Sequence, residues 1–200
     1  MRKLRILALV LSLCFAAACS PREFLTHRLA ADLITNSDAF KLPQQFWLRT
    51  GVISNKDYLS PEYMVLQRHG WITGSNAACP PDISPPPCWD VALTPNGVNV
   101  FRDLIPADAT VSQYFNVTAA RRELLDVTGI YKADTRADVD FRWKWVPLNA
   151  VGSALYNEGV EYDSTVGFRH YDDGWRLTEG STPKADQGMD DALRYAEPAQ

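Results

Sequence analysis

Val139-Asp140-Phe141-Arg142-Trp143-Lys144-Trp145-Val146 alternates large apolar and charged residues over its first seven positions. Successive side chains of a strand point to opposite faces, so Val139, Phe141, Trp143 and Trp145 share one face while Asp140, Arg142 and Lys144 share the other. A helical period does not produce that order. Upstream, residues 121–132 carry Leu125, Val127 and Ile130 as a second strand, with Gly129 as a bulge or bend, and residues 133–138 form the polar turn between the two. Downstream, Asn149 caps a short helix running through Leu155 and Tyr156, closed by Gly159. Residues 161–171 and 175–179 then flank Asp172-Asp173-Gly174, a strong hairpin signal. Residues 109–180 are therefore expected as an antiparallel β-meander of four strands with an inserted helix, apolar on one face. Residues 181–200 are polar, carry Pro and Asp without any period, and are expected as a flexible tail.

The composition fits that picture. Of 200 residues, 46% are apolar and 22% charged, with eleven Gly and thirteen Pro. This is a globular mixture and excludes collagenous, coiled-coil and wholly disordered chains.

The first half reads differently. Residues 44–53 alternate Phe46, Leu48, Thr50 and Val52 as one strand. Ser60-Pro61-Glu62 opens a helix with an N-cap and Pro at the first helical position, with Tyr63 and Leu66 on one face and Gly70 as its stop. Trp71-Ile72-Thr73 and Trp89-Asp90-Val91-Ala92-Leu93 form the arms of a hairpin. Thr94-Pro95 starts another helix carrying Val98, Phe101 and Leu104. Closer to the N-terminus, Ser20-Pro21-Arg22-Glu23 has the form of a capping box, and Leu25, Leu29 and Leu33 recur every four residues up to Asn36-Ser37.

Val65-Leu66-Gln67-Arg68-His69-Gly70-Trp71-Ile72, followed by Val91-Ala92-Leu93-Thr94-Pro95-Asn96-Gly97, resembles the recognition-helix end, wing and Leu-Thr-x-x-Gly turn of bacterial winged-helix regulators. The resemblance implies an α+β chain: a small winged-helix-like module over 44–108, then the β-meander. It departs from DNA-binding members in the wing, which holds two cysteines and five prolines in place of Arg and Lys. Binding nucleic acid by counterion release needs several well-placed cations, so no nucleic-acid partner is expected.

At the N-terminus, Arg2, Lys3 and Arg5 precede thirteen residues, 6–18, that are apolar except for Ser12. As a helix they span about 20 Å, short of the roughly 30 Å of a hydrocarbon core, which makes residues 1–18 a secretory signal. Ala16-Ala17-Ala18-Cys19-Ser20 resembles the lipobox of bacterial lipoprotein precursors, although that family favours Leu where Ala16 stands. The resemblance implies cleavage before Cys19 and acylation of its thiol and new amino group. It also implies localisation in the bacterial cell envelope, with Ser20 resembling the outer-membrane sorting signal of Gram-negative cells. Ala16-x-Ala18 also suits ordinary signal peptidase, which would leave Cys19 as a free thiol. Cleavage leaves 182 residues, 17 basic against 24 acidic, hence a net charge of −7, the opposite sign from a polyanion-binding protein. Residues 19–43 then hold the anchor and the first helix. Once Cys14 leaves with the signal and Cys19 takes the lipid, Cys79 and Cys88 remain as a pair across Pro-Pro-Asp-Ile-Ser-Pro-Pro-Pro. A disulfide suits an oxidising compartment, and the eight-residue gap is not zinc-like.

The chemistry-bearing residues are sparse. His27, His69 and His170 are the only histidines, and the sequence lacks Cys-x-x-Cys, His-x-x-x-His and a phosphate-binding glycine loop. His170 beside Asp172 and Asp173 offers a base with an orienting carboxylate, or simply a strand next to a turn. Glu158, Glu161 and Asp163 offer a hydrolase pair, a calcium site for which they supply too few oxygens by themselves, or simply exposed acids around a glycine turn. Trp143 and Trp145, with Trp175 and Tyr171 alongside, either line a groove for a glycan or apolar ligand or form the core face of a sheet. No metal, cofactor or catalytic set is implied. The expectation is a non-catalytic, envelope-anchored interaction or assembly protein with an envelope protein partner, the alternative being a periplasmic small-ligand- or glycan-binding module built on the Trp-lined sheet, and the third reading a hydrolase using the acids near Asp172-Asp173-Gly174.

Overall fold

The structure, a computed structural model, describes residues 24–83, 85–105 and 114–178. The signal, the lipobox, the Ser20–Glu23 capping box, the boundary near residue 108 and the tail from 181 lie outside these residues.

The strand that decides the fold is β6 (Arg136–Pro147; β1 to β5 are placed below), and its alternation is reproduced in burial. Val139, Phe141, Trp143 and Trp145 are fully buried, with Asp140 and Arg142 exposed and Lys144 half-buried. β6 pairs on one side with β5 (Tyr114–Ala133) and on the other with β7 (Glu161–Tyr171), which pairs in turn with β8 (Gly174–Leu177). The turns are tighter than expected. Ala133 pairs with Arg136 across Asp134-Thr135, and Asp134 takes φ 52°, a conformation Asp tolerates better than most residues. Tyr171 pairs with Gly174 across Asp172-Asp173, with Gly174 at φ 124°. β5 breaks register twice, between Leu124 and Asp126 and between Val127 and Gly129, as the glycine suggested.

A fifth strand joins this meander from far away in the chain. β1 (Gln44–Arg49) pairs with the first third of β5, giving the antiparallel order β1-β5-β6-β7-β8. The sheet curls: Lys132 on β5 brings its Nζ to 5.2 Å from the Trp175 ring on β8, although the two strands are not neighbours. Helices α1 (His27–Thr35) and α2 (Asp38–Lys41) pack on β5. Thr26 is the N-cap of α1, its side chain accepting from the Leu29 N–H. Ala30 and Ile34 form the buried face, with Leu25, Leu29 and Leu33 packed at its flanks. Phe40 of α2 meets Phe141 and Trp143 edge-on at 6.0 and 6.4 Å. The inserted helix, α6 (Ala150–Leu155), is capped by Asn149 as expected, but it ends at Tyr156 rather than at Gly159.

The single strand expected over 44–53 is two. Its phase slips at Thr50-Gly51, where Gly51 takes φ 81°. β2 (Gly51–Ser54) therefore buries Ile53 where continued alternation would bury Val52, and it enters a second, three-stranded antiparallel sheet of order β2-β4-β3. Here α3 (Asn55–Tyr58) and α4 (Pro61–Arg68) lie between β2 and β3 (Ile72–Ala77), and β4 (Cys88–Leu93) returns beside both. The architecture is thus α+β, mostly strands. Helix α5 (Pro95–Phe101) buries Phe101 but leaves Val98 exposed. The Leu-Thr-Pro-Asn-Gly segment acquires a physical reason. Thr94 N–H donates to the Trp71 carbonyl (3.0 Å), its hydroxyl donates to the Gly70 carbonyl (2.6 Å), and that same oxygen accepts from the Gly97 N–H (3.0 Å). One threonine locks the start of α5 to the end of α4. The two sheets share one continuous apolar core, running from Ile53, Leu66 and Val91 to Val139, Val166 and Phe168.

Candidate functional site

The Cys79–Cys88 disulfide is present, closing the hairpin between β3 and β4 with its Cα atoms 5.2 Å apart. The tryptophan stripe is core. Trp143 and Trp145 are fully buried, Trp175 is 4% exposed, and Trp143 Nε1 donates to Ser164 Oγ at 2.9 Å while its ring stacks on Tyr162. Tyr171 stays exposed on the opposite face. The acids near the hairpin are dispersed. Asp173 pairs with Arg176, and among the described residues His170 makes no hydrogen bond to either turn aspartate, its ring lying 5.0 Å from that of Trp175. Glu161 is held by Arg142, which also grips Asp126 through two nitrogens; Asp163 sits opposite Arg142 in the register, and Glu158 is exposed in the preceding loop. His27 opens α1 in solvent, and His69 closes α4 and stacks on Trp71 at 4.7 Å.

One buried charge escaped the sequence reading. Arg122 is 7% exposed, donates from Nη1 to the Ala39 carbonyl at 2.7 Å, and lies over the rings of Trp145 and Trp143 at 4.6 and 5.5 Å. Burial pulls its guanidinium pKa down. It ties α2 to the sheet, and a lone Arg in a strand gives no sign of that role.

The concavity that combines exposed aromatics, charge and backbone lies along β1. A cleft of about 360 Å³ runs between this strand and the α3–α4 segment, with Trp47, Arg49, Asp57, Glu62, Tyr63 and Tyr114 on its walls. Phe46 and Leu48 face the core, which puts Gln45, Trp47 and Arg49 outward. Trp47 is 59% and Tyr114 62% exposed. The Arg49 guanidinium sits 4.9 Å from the centroid of Tyr114, the residue opposite it on β5, and Asn116, opposite Trp47, donates to Gln45 Oε1 at 2.7 Å.

The backbone of β1 is oriented by a single phenol. Tyr63, anchored on α4, donates its hydroxyl hydrogen to the Arg49 carbonyl at 2.8 Å and accepts from the Arg49 N–H at 2.6 Å, as a neighbouring strand would. Burial pushes its pKa up to about 12 against the opposing pull of the Arg49 backbone bond. The N–H and C=O of Arg49 therefore point away from β5 into the cleft, and strand geometry turns those of Trp47, two residues back, the same way. Tyr156 lines the inner end, its pKa likewise pushed to about 12 by burial first and by the charge of Glu62 second. Asp57 and Glu62 give the far wall a negative rim. This arrangement can extend the sheet with a further strand, stack a side chain on Trp47 or Tyr114, and attract a cation. The sequence carried one signal for it: Phe46-Trp47-Leu48 is apolar on both faces, which an outer strand with one solvated face should not be. No family model, curated protein or solved structure matches the chain.

Proposed function

We propose that the chain is an envelope lipoprotein, anchored through Cys19, that works without catalysis by holding an extended, basic peptide segment of a partner protein along β1. The observation that carries this reading is the outer edge of β1, whose Trp47 peptide groups face a cleft flanked by two exposed aromatic rings and two carboxylates. Added strands gain affinity from main-chain hydrogen bonds and specificity from alternate side-chain pockets. Exposed large aromatics at an edge are otherwise an aggregation liability. Asp57 and Glu62 set the sign of the segment. Residues 44–108 form a winged-helix-like module in this reading. It is supported by the order strand, two helices, strand, hairpin, strand and by the sheet order β2-β4-β3. With a disulfide and prolines in the wing, that module serves as scaffold or protein contact rather than as a nucleic-acid reader.

A photo-crosslinking residue placed at Gln45, compared with one at the distant Asp126, tests the reading in intact envelopes. The expected result is one discrete adduct from position 45, none from 126, and loss of the adduct with Trp47→Ala and Tyr114→Ala together. Equal adducts from both positions, or none from 45, would overturn it. Metabolic labelling with palmitate tests the anchor, and the label should vanish with Cys19→Ser.

A further inference from the structure

The cations in the middle of the outer face of the five-stranded sheet are compensated. Arg142 is held by Asp126 and Glu161, and both Arg121 and Lys144 approach Glu123. The exception is at the hairpin end. Arg136 on β6 is directly opposite Arg169 on β7, and Arg169 is directly opposite Arg176 on β8. Three arginines thus occupy neighbouring register positions on strands about 4.8 Å apart, all of them exposed. Like charges placed directly opposite destabilise a sheet. Among the described residues, only Arg176 of the three has a carboxylate partner, Asp173.

The row is also organised. Tyr171 gathers two of its members, with the guanidinium carbons of Arg169 and Arg176 at 5.5 and 5.4 Å from its ring centroid. The two hairpin tips are tied together by the His170 N–H donating to the Thr135 carbonyl at 2.8 Å. Between them lies an open depression of about 420 Å³ lined by Thr135, Arg169, His170, Tyr171, Asp172, Asp173 and Arg176, while Arg136 flanks Arg169 in the register outside that lining. Sequences that break a local rule without compensation nearby tend to do so where function requires it.

We propose that the Arg136–Arg169–Arg176 row is a binding site for a phosphate monoester. Its three terminal oxygens and charge of about −1.5 to −2 match guanidinium forks better than a single carboxylate does. The Thr135 hydroxyl adds a neutral donor, and Asp173 orients Arg176. Asp172, exposed at the rim, favours a compact ligand over an extended polyanion, in keeping with a net-acidic chain. The monoester can belong to a soluble metabolite or to a lipid headgroup.

The test uses the full chain carrying Cys19→Ser, so that acylation cannot bring it to vesicles. Binding is measured to glycerol 3-phosphate in solution, and to phosphatidylcholine vesicles doped with either phosphatidic acid or phosphatidylserine. Saturable binding to glycerol 3-phosphate alone assigns a soluble ligand. Binding to phosphatidic acid vesicles well above phosphatidylserine vesicles assigns a headgroup. In either case Arg169→Gln should weaken binding at least about tenfold, the loss of a charge-assisted pair of hydrogen bonds, without lowering the melting temperature. Arg142→Gln, on the same face but already neutralised, should leave it unchanged. No binding in either arm, equal binding to both anionic vesicles, or equal losses from the two substitutions would overturn the assignment. None of these outcomes bears on the β1 cleft.

Discussion

Gly97→Ala sets two physical expectations against each other. Gly97 lies in α5, and helix propensity alone favours alanine there by about 1 kcal/mol. A Cβ built on Gly97, however, would stand 1.9 Å from the Trp71 carbonyl oxygen and 2.8 Å from its carbon. Both obstructing atoms are backbone, so no rotamer relieves the clash, and α5 must retreat by more than 1 Å to restore ordinary contact. That movement stretches the 3.0 Å bond from Thr94 N–H to the same carbonyl and loosens the Thr94 cap on Gly97. Losing the backbone bond costs about 1 kcal/mol and the cap about 1 kcal/mol. Strain transmitted to the buried Phe101 adds about 1–2 kcal/mol. Net of propensity, Gly97→Ala should destabilise by about 2–3 kcal/mol, which lowers the melting temperature of a chain this size by about 5–10 °C. Thermal unfolding followed by circular dichroism, with Gly129→Ala alongside, is the assay. At Gly129 the nearest atom to an added Cβ is 3.5 Å away, an ordinary contact, so that variant should melt within about 2 °C of wild type. An unchanged or raised melting temperature for Gly97→Ala would refute the close-approach account of the Leu-Thr-Pro-Asn-Gly segment.

Tyr63 and Tyr156, each pushed from 10.0 to about 12, contribute stability that is complete below pH 10 and lost as pH rises through 12. Urea unfolding should therefore weaken by about 2–3 kcal/mol per tyrosine over that window, and Tyr63→Phe should remove its own share of the slope. Reducing the Cys79–Cys88 bridge should destabilise by about 1–2 kcal/mol in urea titrations. This is below the roughly 2.7 kcal/mol of loop-closure entropy, because five prolines already stiffen the open loop. Trp47 is the most exposed of the six tryptophans, so Trp47→Phe should shift emission to the blue and remove most acrylamide quenching. The same change at Trp145 should leave quenching as it was.

The legible part of this fold was the part in which one periodicity governs both faces. β6 and β7, a turn between β5 and β6 that proved tighter than residues 133–138, the hairpin at Asp172-Asp173, the Asn149 cap and the Cys79–Cys88 closure all follow from local chemistry. What was hidden depends on long-range pairing. Nothing within residues 44–53 says that the chain changes sheets at Gly51, because the partner of β1 begins at Tyr114, some seventy residues on. The candidate cleft was hidden likewise, since it needs α4 to bring Tyr63, fourteen residues on, to the Arg49 backbone and β5 to bring Tyr114 beside it. The Trp143 and Trp145 stripe was visible but ambiguous. Period two identifies a face without identifying what covers it, and here α2 and Arg122 do. The arginine row could not be seen at all before the register was known, since Arg136, Arg169 and Arg176 are unremarkable until β6, β7 and β8 align them.

The placement of the two surfaces bears on how an anchored protein would use them. Phe24, where the described chain begins, lies 5.8 Å from Lys132 Nζ, at the hairpin end of the sheet that carries the arginine row. Four residues, 20–23, separate it from Cys19, and the five Cα-to-Cα steps reach at most about 18 Å. An acyl chain on Cys19 would therefore hold that end, and any headgroup phosphate, close to the bilayer. The β1 cleft adjoins the other end of β5, near Tyr114 and Asn116, about 60 Å away along the contour of a strand whose tip is at Asp134. A partner segment laid on β1 would then be received away from such an anchor, with the twenty residues of β5 running between the two ends. The longest strand is paired by β1 over its first third and by β6 beyond, apart from its two register breaks. A strand that frayed at either end would leave the cleft free to swing toward the bilayer.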